Sequence, residues 1–505
     1  MPEIYDLSLS RVAEGLRNKE YGVSEVVESA LARIEATEPK LNACISILAD
    51  AAREQAVRMD KQGPQKNQPL WGVPVGFKDV ICLKGSRTTC ASRFLENFRP
   101  FYDAEVAVRM KEAGAVVLAK TNMDEFAMGS TTENSCFGRT ANPWDLERVP
   151  GGSSGGSAAS VAAKQVFAAL GSDTGGSIRQ PAGFCGCVGL KPTYGRVSRY
   201  GVVAFGSSFD QVGPLTRTVE DCARVFAVLA GPDAKDSTSA RLDLHPEGLP
   251  EQDFVAKAGR GRSEEPADTL KGMKIGVPDE FWESGLTAEV EERCRDILKK
   301  LEGQGATLVP VSLPNQKYAL AVYYIMASAE AGTNLARFDG VRYGRRAENP
   351  ADLLDLYVSS RSRGFGEEVQ RRIMLGTFVL SSGYYDAYYR KAAQIRRLLL
   401  RDFENALDLE RGGCHALLAP TSPCAAWKFG SLSADPLTVY KMDLLTVTLN
   451  LVGLPGLALS AGLGRESGMP AGIQIMGRPF DEAALLRLGA VIERLAPGLG
   501  EPAGI

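Results

Sequence analysis

The first 70 residues of the chain carry the hydrophobic pattern of amphipathic helices. Apolar residues recur at three- and four-residue spacing, at Val27, Ala30, Leu31 and Ile34. A helix with this pattern buries one face and exposes the other. Ser24 precedes the repeat and has a side chain suited to cap a helix N-terminus. We expect a helical cover over residues 1–70, packed on a sheet.

From about residue 71 the pattern changes to short apolar runs separated by helical or glycine-rich segments. Runs with β-branched residues, typical of strands, lie at 72–77, 115–119 and 166–170. Successive positions are apolar in each run, as expected for strands covered on both faces of a sheet. This part of the chain therefore predicts an α/β sheet with helices between the strands.

The second half of the chain repeats this alternation, so we expect the same sheet to continue there. Predicted strands are 274–277, 307–311, 457–460 and 472–476, and predicted amphipathic helices are 288–301 and 481–495. The stretch 233–269 interrupts the pattern, because it is rich in Asp, Glu, Ser, Gly and Pro. We predict an exposed insertion there, and His245 within it is a poor catalytic candidate.

The overall composition is that of an average globular protein. The chain has 505 residues, of which 44% are hydrophobic and 24% charged. Its 58 Lys+Arg and 61 Asp+Glu give a formal net charge of −3, so it has no basic field to hold nucleic acid directly. No run approaches the ~18 apolar residues of a membrane span, and the start lacks a signal-peptide pattern. We expect a cytoplasmic, soluble protein.

Ten cysteines and two histidines limit the chemistry that the chain offers. The cysteines form no C-x-x-C pair, so the sequence does not indicate a zinc or thioredoxin-like site. We predict no metal site and interpret the cysteines as mostly buried apolar residues of a reducing compartment. With His245 set aside, His415 is the remaining candidate for a histidine base.

Two runs of glycine and serine stand close together in the first half of the chain. The first, GGSSGGS at 151–157, leads into a predicted small-residue helix, and the second, GSDTGGSIR at 171–179, follows a predicted strand. Glycine-serine runs are often flexible linkers. At junctions between elements, however, glycines allow sharp turns that present backbone N–H groups to an anion. The position of these runs therefore indicates a site.

Three kinds of site are compatible with these runs to different degrees. A phosphate-binding P-loop is disfavoured, because neither run has the required lysine. A nucleophile elbow centred on Ser153 matches G-x-S-x-G, but no strand precedes it and it would need His415. In the third interpretation Ser177 is the nucleophile, and the amides of Thr174, Gly175 and Gly176 line an oxyanion hole.

The third interpretation needs a base other than histidine, and Lys78 is the natural alternative. This lysine ends the apolar run 72–77 and is followed by Asp79. Burial would have to lower its pKa from ~10.4 to roughly 7 or 8, a bias of about 4 kcal/mol. Taken alone, the Lys-Asp pair is more typical of a solvated surface pair than of a catalytic base.

The residues from 151 to 193 resemble the signature of the amidase signature family almost throughout. The resemblance implies a single large α/β/α domain around a mixed β-sheet over residues 1–505, with the signature core at about 71–225. It also implies a Ser-Ser-Lys triad, with Ser177 as nucleophile, Ser153 as bridging serine and Lys78 as terminal base. All three residue types are present.

Within this family the chain is similar to the glutaminase subunits of tRNA-dependent amidotransferases, notably at 120–129, 194–201 and 371–378. The resemblance implies glutamine hydrolysis, with the ammonia passed to a partner in a heterotrimer with subunits B and C. The partner would use ATP and Mg to amidate Glu-tRNA(Gln), so this chain needs no cofactor and meets the mischarged tRNA through the partner. Use of Asp-tRNA(Asn) would depend on the partner.

The resemblance also assigns residues that hold the charged groups of glutamine. Arg372 would bind the α-carboxylate and Asp443 the α-ammonium, with Tyr323 as a further polar contact. From the residues alone, Arg372 belongs to a solvated helical face and Asp443 to an ordinary helix start. Two other hypotheses remain beside this one: a stand-alone amidase for small amides, which shares the triad, and an inactive scaffold, which the intact triad disfavours.

Overall fold

The computed structural model describes residues 3–241, 253–262, 270–432 and 436–505. His245 and about half of the predicted insertion at 233–269 lie outside these ranges. Within the insertion the structure has a helix at Phe254–Arg262, where only an exposed loop was expected. Phe254 is buried and its ring lies 4.6 Å from that of Phe226. An apolar residue there anchors the helix on the body of the protein.

The described residues form an 11-stranded sheet. Its strands are β1 (Cys44–Ile47), β2 (Pro74–Lys78), β3 (Val116–Thr121), β4 (Ala168–Asp173), β5 (Val188–Lys191), β6 (Gln211–Thr216), β7 (Lys274–Pro278), β8 (Thr307–Val311), β9 (Ala416–Pro420), β10 (Gly456–Leu463) and β11 (Pro470–Met476).

The sheet is mixed, which confirms the predicted fold class. Its order is β1-β3-β2-β4-β6-β5-β10-β11-β9-β7-β8. Strand β2 runs parallel to both β3 and β4, and β7 runs parallel to β8 and β9, whereas the strands between β4 and β9 pair antiparallel. The two strands predicted at 274–277 and 307–311 do continue the same sheet, as β7 and β8 at its edge.

Helices cover the sheet on both sides. They are α1 (Leu9–Asn18), α2 (Val23–Leu41), α3 (Ala49–Gln62), α4 (Glu105–Glu112), α5 (Gly155–Ala162), α6 (Arg179–Cys185), α7 (Val219–Leu229), α8 (Phe254–Arg262), α9 (Asp279–Trp282), α10 (Ala288–Gly303), α11 (Ala319–Asn334), α12 (Leu353–Gly364), α13 (Glu367–Leu380), α14 (Lys391–Leu407), α15 (Pro436–Lys441), α16 (Val447–Val452) and α17 (Glu482–Leu495). The main hydrophobic core extends from Leu9 in α1 to Ile492 in α17. None of these helices combines the length and hydropathy needed to cross a bilayer.

The predicted cap of α2 is wrong. Ser24 lies inside the helix, and Gly22 is the N-cap residue. The carboxylate of Asp60, at the end of α3, accepts hydrogen bonds from the N–H groups of Val23 (2.6 Å) and Ser24 (3.0 Å). A residue distant in sequence therefore satisfies the free amides of the first turn, so local spacing alone could not identify the cap.

Candidate active site

Two parallel strands place the candidate residues at one edge of the sheet. Strand β2 ends at Lys78, and its neighbour β4 ends at Asp173, immediately before the loop with Ser177. Parallel neighbours lie about 4.8 Å apart, and their carboxyl ends meet at the same edge. The first glycine-serine run leads into α5, which packs on β2 and β4. The fold thus brings both runs next to Lys78.

Lys78 is completely buried among serine hydroxyl groups. Its Nζ lies 2.7 Å from Ser153 Oγ, 2.8 Å from Ser154 Oγ and 2.8 Å from Ser172 Oγ. The carbonyl oxygen of Ser172 is 3.3 Å away. The interpretation of Lys78 as a solvated surface residue is therefore excluded. A neutral amine has one lone pair, so it can accept a proton from one hydroxyl while it donates to the others.

The surroundings of Lys78 favour the neutral form of its amine. Burial lowers the pKa of Lys78 from 10.5 to about 7, although Asp124, Asp173 and Asp210 favour the charged form. A base with a pKa near the working pH is well matched to proton transfer. The lowered pKa that the sequence analysis required of Lys78 is thus present.

Ser177 lies beside this group in the loop between β4 and α6. Its carbonyl oxygen accepts the N–H of Ser154 (3.2 Å), which ties the two glycine-serine runs together. No described residue hydrogen-bonds to Ser177 Oγ, whereas the Ser153 hydroxyl already contacts Lys78. Proton transfer from Ser177 to Ser153 therefore requires the two hydroxyl groups to come into hydrogen-bond contact.

Asp173 holds the loop with Ser177 in place. Its carboxylate accepts the N–H groups of Gly176 (2.8 Å) and Ile178 (3.1 Å) and forms an ion pair with Arg179 (3.2 Å). Burial alone would raise the pKa of Asp173, but the charge of Arg179 and the hydrogen bonds lower it to about 2. The loop is therefore anchored by a permanently ionised carboxylate.

This anchoring corrects one of the predicted oxyanion donors. The N–H of Gly176 is engaged by Asp173, so it is not free to hold an oxyanion. Within the described ranges, no acceptor hydrogen-bonds to the N–H groups of Gly175 or Ser177, which makes them the better candidates. The hydroxyl of Thr174 donates to Asp210 (2.6 Å), and the N–H of Thr174 stays a predicted donor.

Both glycines are required by the packing of this loop. A Cβ on Gly175 would lie 2.5 Å from the hydroxyl of Tyr323, and a Cβ on Gly176 would lie 2.2 Å from Thr446 Oγ1. Gly176 also has φ of +131°, a conformation that favours glycine.

A small cavity opens beside Ser177. Its lining consists of small residues, two aromatic rings and two charged side chains: Ala127, Gly129, Ser130, Gly152, Gly175, Gly176, Ser177, Phe205, Tyr323, Arg372 and Asp443. All three residues that the family resemblance assigned to substrate are in this lining. A larger cavity, which is lined in part by Trp144, Arg217 and Leu499, contains none of them.

Arg372 is buried and held in a fixed position. Its side chain is 4% exposed, and its guanidinium carbon lies 4.5 Å and 4.8 Å from the ring centroids of Tyr324 and Tyr440, which stack on each other. Its Nε donates to Glu368 Oε1 (2.6 Å), one helical turn earlier on α13. The interpretation of Arg372 as a solvated residue is therefore wrong, because α13 packs on α11.

Asp443 provides the opposite charge in the cavity. Its carboxylate accepts hydrogen bonds from the hydroxyls of Ser130 and Tyr324, both at 2.7 Å. Burial raises its pKa to about 6 despite these bonds, so the carboxylate is mostly ionised at neutral pH. Asp443 is buried, unlike an ordinary acid at a helix start.

Several residues of the site were missed by the sequence analysis. They are Asp124, Ser130, Ser154, Ser172, Asp210, Tyr324, Glu368 and Tyr440. One of them had a local signal, since Glu368 precedes Arg372 by four residues, the spacing of a helical ion pair. Tyr324 and Tyr440 come from separate elements and had no local signal.

The histidine alternative fails on geometry. His415 precedes β9, where its Nδ1 accepts the N–H of Lys274 in β7 (3.0 Å). Five strand-to-strand steps separate β4 from β9 in the sheet, so His415 is roughly 24 Å from the loop after β4. The nucleophile elbow with Ser153 therefore has no histidine partner in the described part of the chain. No group of three or more His, Cys, Asp or Glu residues suited to a metal ion occurs there either.

A family model described as amidase matches residues 25–486. Among curated proteins, the A subunit of glutamyl-tRNA(Gln) amidotransferase from Oleidesulfovibrio alaskensis is 58% identical, with 98% of each chain covered. The protein of the same name in Nitratidesulfovibrio vulgaris is 57% identical over the full length of both chains.

A solved structure with the same fold is the A subunit of glutamyl-tRNA(Gln) amidotransferase from Thermotoga maritima. It is 42% identical, with a TM-score of 0.78, and the match covers 98% of this chain and 96% of that one. Sequence and fold therefore agree over nearly the whole length of the molecule.

Proposed function

The chain belongs to the amidase family, and on that premise we propose that it is the glutaminase subunit of a tRNA-dependent amidotransferase. One observation supports glutamine as the substrate. The cavity beside Ser177 contains one buried cation, Arg372, and one buried anion, Asp443. Free glutamine carries one α-carboxylate and one α-ammonium, so a specific site needs an opposite charge for each.

Three residues carry the acylation step. Neutral Lys78 takes the proton of Ser153, Ser153 takes the proton of Ser177, and Ser177 Oγ attacks the side-chain carbonyl carbon of glutamine. The negative charge on the carbonyl oxygen is held by the N–H groups of Gly175 and Ser177, worth typically ~2.7 to 4 kcal/mol per donor. The Lys78 ammonium forms at the same time.

The same proton path completes the reaction. Lys78 returns its proton through Ser153 to the departing nitrogen, the C–N bond breaks, and ammonia leaves. A γ-glutamyl ester remains on Ser177. Water then adds to this ester, and its proton passes through Ser153 to Lys78. The ester C–O bond breaks as this proton returns through Ser153 to Ser177 Oγ, which gives glutamate, free Ser177 and neutral Lys78.

A partner subunit uses the ammonia. The similar proteins are named as the A subunit of a glutamyl-tRNA(Gln) amidotransferase, which supports an assembly of several subunits. We propose a heterotrimer with subunits B and C in the cytoplasm, in which a partner binds ATP, Mg and the mischarged tRNA. The net charge of −3 is consistent with tRNA binding by the partner rather than by this chain.

Reconstitution with and without the partner subunits tests this function. We expect glutaminase activity to rise strongly when the partners, ATP and Glu-tRNA(Gln) are added, and Gln-tRNA(Gln) to form. Asp-tRNA(Asn) in a parallel reaction shows whether the complex accepts aspartate as well. Full hydrolysis of unrelated small amides by the isolated chain, unchanged by the partners, would instead favour a stand-alone amidase.

Removal of either charge in the cavity should weaken glutamine binding. We expect Arg372→Ala and Asp443→Ala each to raise the KM for glutamine roughly ten- to a hundredfold, the value of ~1.5 to 3 kcal/mol for a charge-assisted contact. Ammonia-dependent amidation should change little, because ammonia does not need these contacts. Steady-state kinetics with glutamine and with ammonium salt measures both effects.

A neighbouring arginine provides the matched control. Arg371 also pairs with Glu368, but its side chain is 43% exposed, so Arg371→Ala should leave the KM near that of the wild type. A primary amide without α-carboxylate and α-ammonium is a second probe. The wild type should discriminate strongly against it and the double variant should not. Equal discrimination by both proteins would remove Arg372 and Asp443 from the proposed site.

A further inference from the structure

A buried carboxylate that the mechanism above does not use lies next to the catalytic group. Asp124 is completely buried in the turn after β3. Its Oδ2 accepts the N–H groups of Thr132 (2.9 Å) and Thr131 (3.3 Å), and its Oδ1 accepts the N–H of Asn134 (3.2 Å). The main-chain N–H of Asp124 donates to the carbonyl oxygen of Ser153 (3.3 Å).

Two glycines of the cavity lining leave room for this carboxylate. A Cβ on Gly152 would lie 2.1 Å from Asp124 Oδ2, and a Cβ on Gly129 would lie 2.4 Å from Asp124 Cγ. Both glycines face the cavity beside Ser177. The carboxylate of Asp124 therefore sits directly behind the wall of the substrate cavity, in space that any side chain at these positions would fill.

The segment 129–134, which Asp124 anchors, contacts both parts of the site. At one end, Ser130 donates its hydroxyl to Asp443 (2.7 Å). At the other, the Thr132 hydroxyl donates to the carbonyl of Gly151 (2.8 Å) and accepts the N–H of Gly155 (3.1 Å). The segment thus connects Asp443 in the substrate cavity with the glycine-serine run 151–157, which contains Ser153.

Asp124 and Asp210 are the two carboxylates near Lys78 that form no ion pair with another cation in the described part of the chain. The titratable groups that act on Lys78 are Asp124, Asp173, Asp210 and Cys90. Asp173 is paired with Arg179. Asp210 accepts hydrogen bonds from the Thr174 hydroxyl and from the amides of Phe205 and Gly206. Within the described ranges no arginine or lysine forms an ion pair with Asp124, and the charge of Lys78 is the one that lowers its pKa.

We propose that Asp124 is a positioning residue of the glutaminase reaction, an inference that rests on the function proposed above. Its carboxylate stabilises the Lys78 ammonium that forms during acylation, and its hydrogen bonds fix segment 129–134 between the substrate cavity and Ser153. One side chain thereby couples the base to the wall that binds glutamine.

This coupling has a defined consequence for the pH dependence. Burial raises the pKa of Asp124 to about 7, and its carboxylate raises the pKa of Lys78 in return. Without the carboxylate, the pKa of Lys78 falls and the neutral amine persists to lower pH. We therefore expect Asp124→Asn to move the acid limb of kcat/KM down by about one pH unit, the usual effect of a nearby opposite charge. The plateau rate should fall up to about tenfold, because one pKa unit is a factor of ten in the proton affinity of the base.

The experiment is a pH profile of kcat/KM for the reconstituted complex, with glutamine and with a primary amide that lacks the α-groups. Asp124→Ser is a second charge-neutral variant, smaller and still able to accept a hydrogen bond. Thr132→Val is the matched control, since it loosens the same segment and keeps the charge. We expect the shift in both Asp124 variants, and a lower plateau with an unshifted midpoint in Thr132→Val.

Each outcome supports or overturns the proposed role of Asp124. An unshifted midpoint in the folded Asp124 variants overturns the proposal, and so does failure of both variants to fold, because the carboxylate would then serve the fold alone. A wild type that hydrolyses the simple amide but not glutamine would refute the proposed function, while the shift measured with that amide still tests Asp124.

Discussion

Ser177→Ala is expected to abolish glutamine-dependent amidation of tRNA and to leave ammonia-dependent amidation nearly unchanged. Ser177 makes ammonia from glutamine but has no part in its use by the partner subunit. Loss of a serine nucleophile typically lowers a hydrolysis rate on the order of 10⁶-fold. The measurement compares the two nitrogen donors in the same reconstituted complex.

A buried serine outside the cavity is the matched control. Ser160 lies on α5, where its hydroxyl donates to the carbonyl of Ser157 (3.0 Å). Ser160→Ala should keep both activities, since the change removes a hydroxyl of the same size without touching the proposed proton path. If Ser177→Ala lost both activities while the complex remained assembled, the separation between ammonia production and ammonia use would be wrong.

The sequence predicted the two serine loops and the lysine because each has a local signal. Glycines stood at the ends of strands and helices, and Lys78 stood at the end of an apolar run. The strand pairing that brings Lys78 next to the two serine loops had no local signal in the sequence. Strand β2 lies between β3 and β4 in the sheet, although β3 precedes β4 in the chain. The family resemblance supplied the link that spacing could not.

The charged residues of the cavity show why local patterns misjudge burial. Arg372 follows Glu367 and Glu368 on a helix, which is typical of a solvated face. In the fold, α13 packs on α11, and the rings of Tyr324 and Tyr440 both contact the guanidinium. Burial of a charge is tolerated here because the guanidinium pairs with Glu368 and contacts the two rings. These partners come from three elements, so only the tertiary structure reveals them.

The N–H group of Gly176 shows a second limit of prediction from a sequence motif. The run of Thr174 to Gly176 indicated consecutive free N–H groups, but one of them serves the loop itself. Asp173 takes the N–H of Gly176, as expected for a carboxylate at the start of a tight turn. The motif therefore indicated the region of the proposed oxyanion hole, whereas the choice of individual donors depends on the tertiary structure.

Lys78→Ala is expected to lower the glutaminase rate on the order of 10³-fold or more, within the range of general-base catalysis. Ser153 would lose its proton acceptor, and no other described base hydrogen-bonds to it. Ammonia-dependent amidation should again persist. In the wild type, kcat/KM should rise with pH through the pKa of Lys78, about 7, because only the neutral amine can take a proton.

A second buried lysine allows this assignment to be tested. Burial also lowers the pKa of Lys191 to about 7, and its Nζ donates to Gln211 (2.8 Å) rather than to a serine of the site. Lys191→Met should therefore leave the midpoint of the acid limb in place, although both lysines would titrate in the same range. If the midpoint moved in Lys191→Met, or if Lys78→Ala turned over at a near-normal rate, the titrating base would not be Lys78. The proton path through Ser153 would then lose its terminal acceptor.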